Sequence, residues 1–316
     1  MSADDTTIAV DRTGTTVLAL AGPDTRRFAN GMFTQDLRAP APGTATSSAW
    51  CDDRGRMLGL MRVAATGPDA LLLVLQGVDF EAFQARFSRY IVFDDVEMTD
   101  HTGEVALITM QGPRAGAVLH AAGSPAPEGW EGEAPFGVLR HDRLATRGFD
   151  LLVPRAEAAA TLAALEAAGA VVATAADLET RRVLAGQPAW PDDMDDHTFP
   201  HELGLRDEVL SFEKGCYVGQ EIINRMDTFA KVRRVLVGVV VDGEEVPPAG
   251  AEVRVAGKRV GRLTSPVRAP GVVVGLCVIR REHEAPGTEV EVADGERIWR
   301  GTVAVLPLAG AVAKDG

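Results

Sequence analysis

The 316-residue chain has 46% hydrophobic and 24% charged residues, an ordinary globular composition that excludes a fibrous or disordered protein. Its length suggests about two or three domains. With 32 basic and 45 acidic side chains the net charge is −13, which repels nucleic acid and anionic membrane, and 5% aromatic residues argue against a base-stacking surface.

In chain order, Thr16–Ala21 reads as a strand closed by Gly22-Pro23-Asp24, with Asp24 placed to cap a helix over Thr25–Phe33. Residues 39–46 read as a loop. Strands are predicted at Met57–Ala64 and Ala70–Leu75, preceded by an Asp52-Asp53-Arg54-Gly55 turn. Asp79 opens a helix whose Phe80, Phe83, Phe87 and Tyr90 recur every three or four residues, a core-facing stripe. A strand over Val105–Met110 and a helix to Ala122 follow, then a Gly/Pro/Glu-rich loop over 123–135. Next come a strand at Leu151–Val153, a helix from Pro154 to Gly169, a strand at Val171–Ala173 and a helix from Asp177 to Gly186. After residue 235 the texture changes. Val235–Val241, Glu252–Val255, Val260–Leu263, Val272–Ile279, Glu289–Val292 and Arg300–Val305 are short strands with Gly and Pro between them, the pattern of a small antiparallel barrel or sandwich. The domains read as 1–234 and 235–316.

Residues 187–234 hold the chemistry. Eight acids and one base lie between Asp192 and Glu213, whereas five bases and two acids lie between Lys214 and Arg234. This split fits either an anion-binding spot or internal pairing. The Asp/His run from Asp192 to Glu202 lacks metal-ligand spacing and reads as a solvated acidic loop, so no metal site is assigned. Cys51, Cys216 and Cys277 are too scattered for a disulfide framework or a zinc site, which points to a reducing cytosol. The first residues show no secretory signal, and no apolar run is long enough for a membrane span, so a cytoplasmic location is expected. Cys216 follows Lys214-Gly215. A glycine-flanked turn can expose the thiol and a neighbouring lysine favours the thiolate; the competing reading is a small buried hydrophobe. One cysteine cannot hold an iron–sulfur cluster alone, so any such role is transient. No dinucleotide fingerprint, Walker motif or GxSxG elbow occurs.

Lys214-Gly215-Cys216-Tyr217-Val218-Gly219-Gln220-Glu221, followed by Arg225, closely resembles the signature of the YgfZ family of folate-binding proteins implicated in iron–sulfur cluster assembly and maintenance. Leu20–Asp24, Phe33–Leu37, Met110–Ala115, Arg182–Gly186 and Pro200–Leu205 resemble segments of the wider glycine-cleavage T-protein superfamily. The resemblance implies an α+β fold of three domains in a cloverleaf around a central folate-sized hole. Two interleaved α+β subdomains would form residues 1–234, and an antiparallel β-barrel would close the chain. It also implies tetrahydrofolate or a related folate as cofactor. Glu202 would hold the pterin; Lys214, Gly215, Tyr217, Gly219, Gln220, Glu221 and Arg225 would complete the cofactor site, and Arg225, Lys231 and Arg233 would meet the folate's glutamate tail. Cys216 would be the reactive group. The implied partners are folate and, transiently, iron–sulfur client or scaffold proteins, with no nucleic acid and no membrane. The aminomethyltransferase branch carries paired aspartates where this sequence reads Met57-Leu58-Gly59-Leu60-Met61, leaving Asp52 or Asp53 of the turn as nearby acids. The implied role is accessory binding and transfer; the alternative is a folate-dependent aminomethyltransferase or demethylase.

Overall fold

A computed structural model describes residues 6–38, 41–144, 146–229 and 232–312. The chain divides into two compact units, the first made of residues up to 175 with 208–220, the second of 176–207 with everything from 221 onward. Residues 176–207 and 221–229 therefore pack with the strands after residue 234, although they precede them in sequence.

The first unit runs β1 (Ile8–Asp11), β2 (Val17–Ala21), α1 (Thr25–Met32), β3 (Ala45–Cys51), β4 (Met57–Gly67), β5 (Ala70–Gln76), α2 (Phe80–Phe87), β6 (Glu97–Asp100), β7 (Val105–Gln111), α3 (Ala115–Ala121), β8 (Trp130–Glu133), β9 (Phe136–Arg140), β10 (Gly148–Pro154), α4 (Ala158–Ala167) and β11 (Val171–Val172). Two sheets result: β11-β1-β7-β10-β9-β8 and β3-β4-β5-β2-β6. Consecutive β1 and β2 enter different sheets, so the sheets are interleaved along the chain.

The five-stranded sheet carries an aromatic cluster that later positions the site. Asp79 accepts a hydrogen bond from the Ala82 N–H at 2.6 Å, capping α2 and fixing its rotation. Phe83 and Phe87, four residues apart, are then fully buried with ring centroids 4.7 Å apart. Phe87 stacks on Phe33 at 5.4 Å and meets Phe28 edge-on at 5.2 Å, while Phe83 meets Trp50 at 4.9 Å. Tyr90, expected on the same stripe, lies beyond the helix in a separate 3-10 turn and is 47% exposed.

Several local expectations are corrected. Asp24 does not cap α1 with its side chain; its carboxylate accepts from the Asp95 N–H at 2.9 Å and pairs with Arg27 at 3.0 Å. The loop expected over 123–135 contains β8, which pairs with β9. Gly132 stands opposite Gly137, and a Cβ on Gly132 would lie 2.5 Å from the Gly137 Cα, so glycine here permits close strand pairing instead of marking a loop. The helix expected from Pro154 begins as a 3-10 turn over Arg155–Glu157 before α4. The acidic run from Asp192 is not uniformly solvated. Asp193 is fully buried in the second unit, where its carboxylate accepts from Arg182 at 2.6 Å, Ser265 at 2.8 Å and Thr264.

The second unit contains the bulk of α5 (Ala175–Leu184), part of α6 (Arg206–Val209), nearly all of α7 (Gln220–Phe229), and strands β12 (Arg234–Val241), β13 (Glu252–Val255), β14 (Lys258–Ala269), β15 (Val272–Arg280), β16 (Glu289–Asp294) and β17 (Arg297–Ala304). These strands close in the order β12-β15-β14-β13-β16-β17, with β17 returning to β12. Closure leaves no unpaired sheet edge. Val239, Val253, Leu263, Cys277, Ile279 and Val292 fill the interior and are fully buried. Among the described residues, no helix is long and apolar enough to cross a membrane.

Phe83→Ala should cost about 3–5 kcal/mol of stability, because the tightly packed ring stack cannot collapse around the cavity. Urea unfolding measures this; a loss below about 1 kcal/mol would show that the cluster repacks freely.

Candidate functional site

In the first unit, the segment after α6 is tied down before it reaches Cys216. The Thr34 hydroxyl donates to the Val209 carbonyl at 2.6 Å and accepts from the Ala49 N–H at 2.9 Å. The Ser211 N–H donates to the Thr34 carbonyl at 3.0 Å. Lys214 then turns inward and is 8% exposed. Its ammonium donates to the Phe33 carbonyl at 2.6 Å and the Gln35 carbonyl at 2.7 Å, and lies 4.8 Å from the centre of the Tyr217 ring. Burial pushes its pKa down to about 7.

Downstream of the cysteine the chain is fixed again. Tyr217 is 6% exposed, and the Val218 N–H donates to the Gly31 carbonyl at 3.0 Å while the Val218 side chain packs on the aromatic cluster. Gly219 adopts φ +83° against the Asp52–Gly55 turn. A Cβ there would stand 2.4 Å from the Asp52 carbonyl oxygen, so both its conformation and the contact require glycine. Gln220 starts α7, its N–H donating to the Tyr217 carbonyl at 3.2 Å. Between these anchors Gly215 and Cys216 are exposed. Cys216 is a free thiol, with no hydrogen-bond partner among the described residues.

The expected action of Lys214 on the thiol is therefore corrected. The ammonium is committed to two backbone carbonyls and holds the loop from inside. Cys51 and Cys277 are buried, and burial pushes both thiols up, away from reactivity. The Tyr217 hydroxyl is also pushed up by burial and has no hydrogen-bond partner among the described residues.

In the second unit, Glu202 is 4% exposed in a 3-10 turn over Pro200–Leu203. Its two oxygens accept from Arg234 at 2.9 and 2.8 Å, and one also accepts from the Phe199 N–H at 3.1 Å. This fork-on-carboxylate pair crosses the acidic and basic halves of the segment, as does the Arg234 donation to the His197 carbonyl at 2.8 Å. Nearby His201 has both ring nitrogens buried without a hydrogen bond among the described residues, 3.7 Å from Asp227, and burial lowers its pKa. Glu221 and Arg225 lie exposed on α7, where Arg225 joins Ile222, Met226 and Phe229 around a small cavity. Lys231 lies outside the described residues.

A larger cavity of about 840 Å³ opens on the barrel and is lined by Arg233, Arg234, Arg259, Arg262, Arg280 and Arg281. Sequence reasoning named Arg233 and Arg234 among the bases of a candidate anion-binding spot and gave only Arg233 a ligand. The others are scattered over strands that neighbour one another only once the barrel closes. The anchors Phe33, Thr34 and Gln35 were visible as a motif but carried no assigned role, and Gly31 was not singled out. No grouping of His, Cys, Asp or Glu suited to a metal ion occurs among the described residues.

Comparison with known proteins places this architecture. Residues 5–214 match the GCVT N-terminal domain, and residues 234–308 match the glycine cleavage T-protein C-terminal barrel domain. The chain belongs to the glycine cleavage T-protein family. It is 30% identical over 284 residues to an aminomethyltransferase of Rubrobacter xylanophilus, covering 86% of this chain and 76% of that protein. It is 25% identical over 307 residues to a chloroplastic putative transferase of Arabidopsis thaliana, covering 92% and 69%. Among solved structures, the glycine cleavage system aminomethyltransferase T from Bartonella henselae shares the fold with a TM-score of 0.85 at 21% identity, over 96% of this chain and 86% of that one.

Two outcomes test the loop. Gly219→Ala should destabilise the protein by about 2–4 kcal/mol in urea unfolding, through backbone strain and overlap with the Asp52 turn. Lys214 has a lower pKa folded than unfolded, so unfolding takes up a proton between about pH 7 and pH 10.5, and its contribution to stability rises with pH across that window. The stability difference between wild type and Lys214→Met should therefore grow from about pH 7 to about pH 9.5. A difference that stays flat or shrinks contradicts this assignment.

Proposed function

We propose that this protein binds a tetrahydrofolate and presents Cys216 as a reactive thiol that supports assembly, maintenance or repair of iron–sulfur clusters in client enzymes. The observation that carries this reading is a free, exposed thiol on a loop immobilised from both sides, by Lys214 before it and by Val218 and Gly219 after it. A loop whose own residues are otherwise anchored presents its thiol in a fixed place at little entropic cost on binding. Loss of the thiol proton gives a thiolate that can ligate cluster iron transiently or exchange with a client disulfide. A cluster needs about four such ligands, so the remaining ones would come from the client or scaffold.

Aminomethyltransferases of this family use tetrahydrofolate, which supports a folate here. The residues present fit one end of that molecule: the guanidinium-lined cavity of the second unit has the donor set that carboxylates need. When bound, tetrahydrofolate supplies the nitrogens that carry one-carbon units. Glu202 was expected to meet the pterin, and its carboxylate is taken up by Arg234. Its supported role is to aim that guanidinium.

The names of the relatives favour a second reading, aminomethyl or related one-carbon transfer. The geometry of β4 speaks against it. A side chain at Gly59 would enter against Val78 at 3.2 Å and Trp50 at 3.7 Å, an apolar surround that opposes a carboxylate, and Leu60 is 5% exposed. Asp52 is committed to its own turn, accepting from the Arg54 and Arg56 N–H groups at 2.9 and 2.8 Å.

Cys216→Ser should leave tetrahydrofolate affinity unchanged in calorimetry. In cells lacking the native gene it should fail to restore the activity of several iron–sulfur enzymes. Full restoration by the serine variant removes the thiol from the function. Formation of methylene-tetrahydrofolate from tetrahydrofolate and candidate methylamines would establish the transferase reading instead.

A further inference from the structure

The first unit holds a second polar cluster, where the turn between β9 and β10 meets β4 of the other sheet. Asp150 on β10 is fully buried. Its carboxylate accepts from the Thr109 hydroxyl at 2.6 Å, from His141 Nδ1 at 2.8 Å and from Arg143 at 2.8 Å. Gln111, also fully buried, braces the turn from both sides. Its amide donates to the His141 carbonyl at 2.8 Å and accepts from the Arg143 N–H at 3.0 Å. A Cβ on Gly148 would stand 2.1 Å from the Gln111 side-chain oxygen, so glycine there makes room for the brace. Buried ionic groups stabilise a fold no better than apolar side chains of the same volume, so packing does not account for Asp150, His141 and Arg143 in one turn.

The state of His141 follows from its neighbours. Arg143 already balances the Asp150 charge. Burial, with Arg143 and Arg62 alongside, pushes the imidazole pKa down to about 4, so the ring is neutral at physiological pH. Asp150 stays ionised and can only accept, which places the ring proton on Nδ1. Nε2 keeps a lone pair. The His141 side chain is 10% exposed and Asp150 not at all, so the open edge of the ring is the one that carries Nε2.

Arg62 reaches the same place from β4. Its Nε donates to the Arg140 carbonyl at 3.0 Å and its Nη1 to the Ser47 hydroxyl at 3.3 Å. It has no ion pair among the described residues, and its Nη2 has no hydrogen bond there. A half-buried guanidinium without a carboxylate keeps donors to spare for a ligand.

A neutral acceptor beside a donor-rich guanidinium selects its ligand by elimination. A carboxylate or phosphate would satisfy Arg62, but it has no proton for Nε2 at neutral pH. A cation has the proton and is repelled by Arg62 and Arg143. A trans peptide group points its N–H and C=O in opposite directions. A cyclic amide carries both on one edge, with the carbonyl oxygen for Arg62 and the adjacent N–H for His141.

We propose that His141 and Arg62 form a recognition site for the amide edge of a lactam heterocycle, the edge that guanine and pterin rings share. Asp150, Arg143 and Gln111 are positioning residues that hold His141 and its tautomer. The inference stands without the folate reading, because a guanine satisfies it equally.

Calorimetry on the full chain tests this with guanosine, pterin-6-carboxylate and the ring-N-methylated form of each, in which the amide N–H is gone. At least one parent ring should bind about tenfold or more tighter than its methylated form. The tighter parent names the source of the edge. Arg62→Met should weaken that binding about tenfold. In nitrogen-15 NMR of the wild type, the His141 Nε2 resonance should shift on binding while Nδ1 keeps its proton, a readout that holds even if the variant fails to fold. No binding of either parent, equal binding of parent and methylated rings, or an unmoved Nε2 resonance overturns the inference. Tetrahydrofolate binding with Nε2 unmoved also overturns it and leaves the folate reading standing.

Discussion

The Lys214 ammonium is taken out of water and set against the carbonyls of Phe33 and Gln35. Those carbonyls are available because the chain leaves α1 there without entering regular pairing, and Phe33 is held by its stack on Phe87. A buried ammonium needs such partners, since an unpaired one would cost more than a loop of this size could offset. The contact therefore couples the aromatic core of the first unit to the loop that carries Cys216. Packing of four phenylalanines and a tryptophan, far from reactive chemistry, sets where one sulfur atom is exposed.

The same logic explains the division of labour among the three cysteines. Cys51 sits at the end of β3 and Cys277 inside the barrel, where the Cys277 thiol donates to the Arg262 carbonyl at 3.0 Å. Both behave as small hydrophobes. Cys216 differs because its neighbours, not the sulfur, satisfy the loop's need for burial: Lys214 and Tyr217 turn inward and leave the residues between them outside. The second unit solves a different problem. Its buried Glu202 accepts from both arms of Arg234, and its buried Asp193 accepts one bond from Arg182 and others from the Ala189 N–H, Thr264 and Ser265, so part of the acidic run serves internal pairing.

Much was legible in the sequence where one physical rule dominated. The Val-rich segments after residue 235 read as strands because their alternation and Gly punctuation serve a closed barrel directly. Asp79 and the Phe83/Phe87 spacing read correctly as a capped, core-facing helix. The rule failed where residues answered to distant partners. Gly132 looked like a loop former, and the requirement that decided it was close approach to Gly137 on the neighbouring strand. Asp24 had the right position for a cap, and the Asp95 N–H from another segment took its carboxylate.

The sequence by itself pointed to the wider glycine cleavage T-protein family, through short motifs spread along the chain, and it showed which cysteine follows a glycine. Only the tertiary structure decided that Lys214 faces inward, that Glu202 is committed to Arg234, and that arginines scattered between positions 233 and 281 line one cavity. The reason is that side-chain direction and charge pairing depend on neighbours supplied by chain closure. Local periodicity carries no record of which strand will lie alongside.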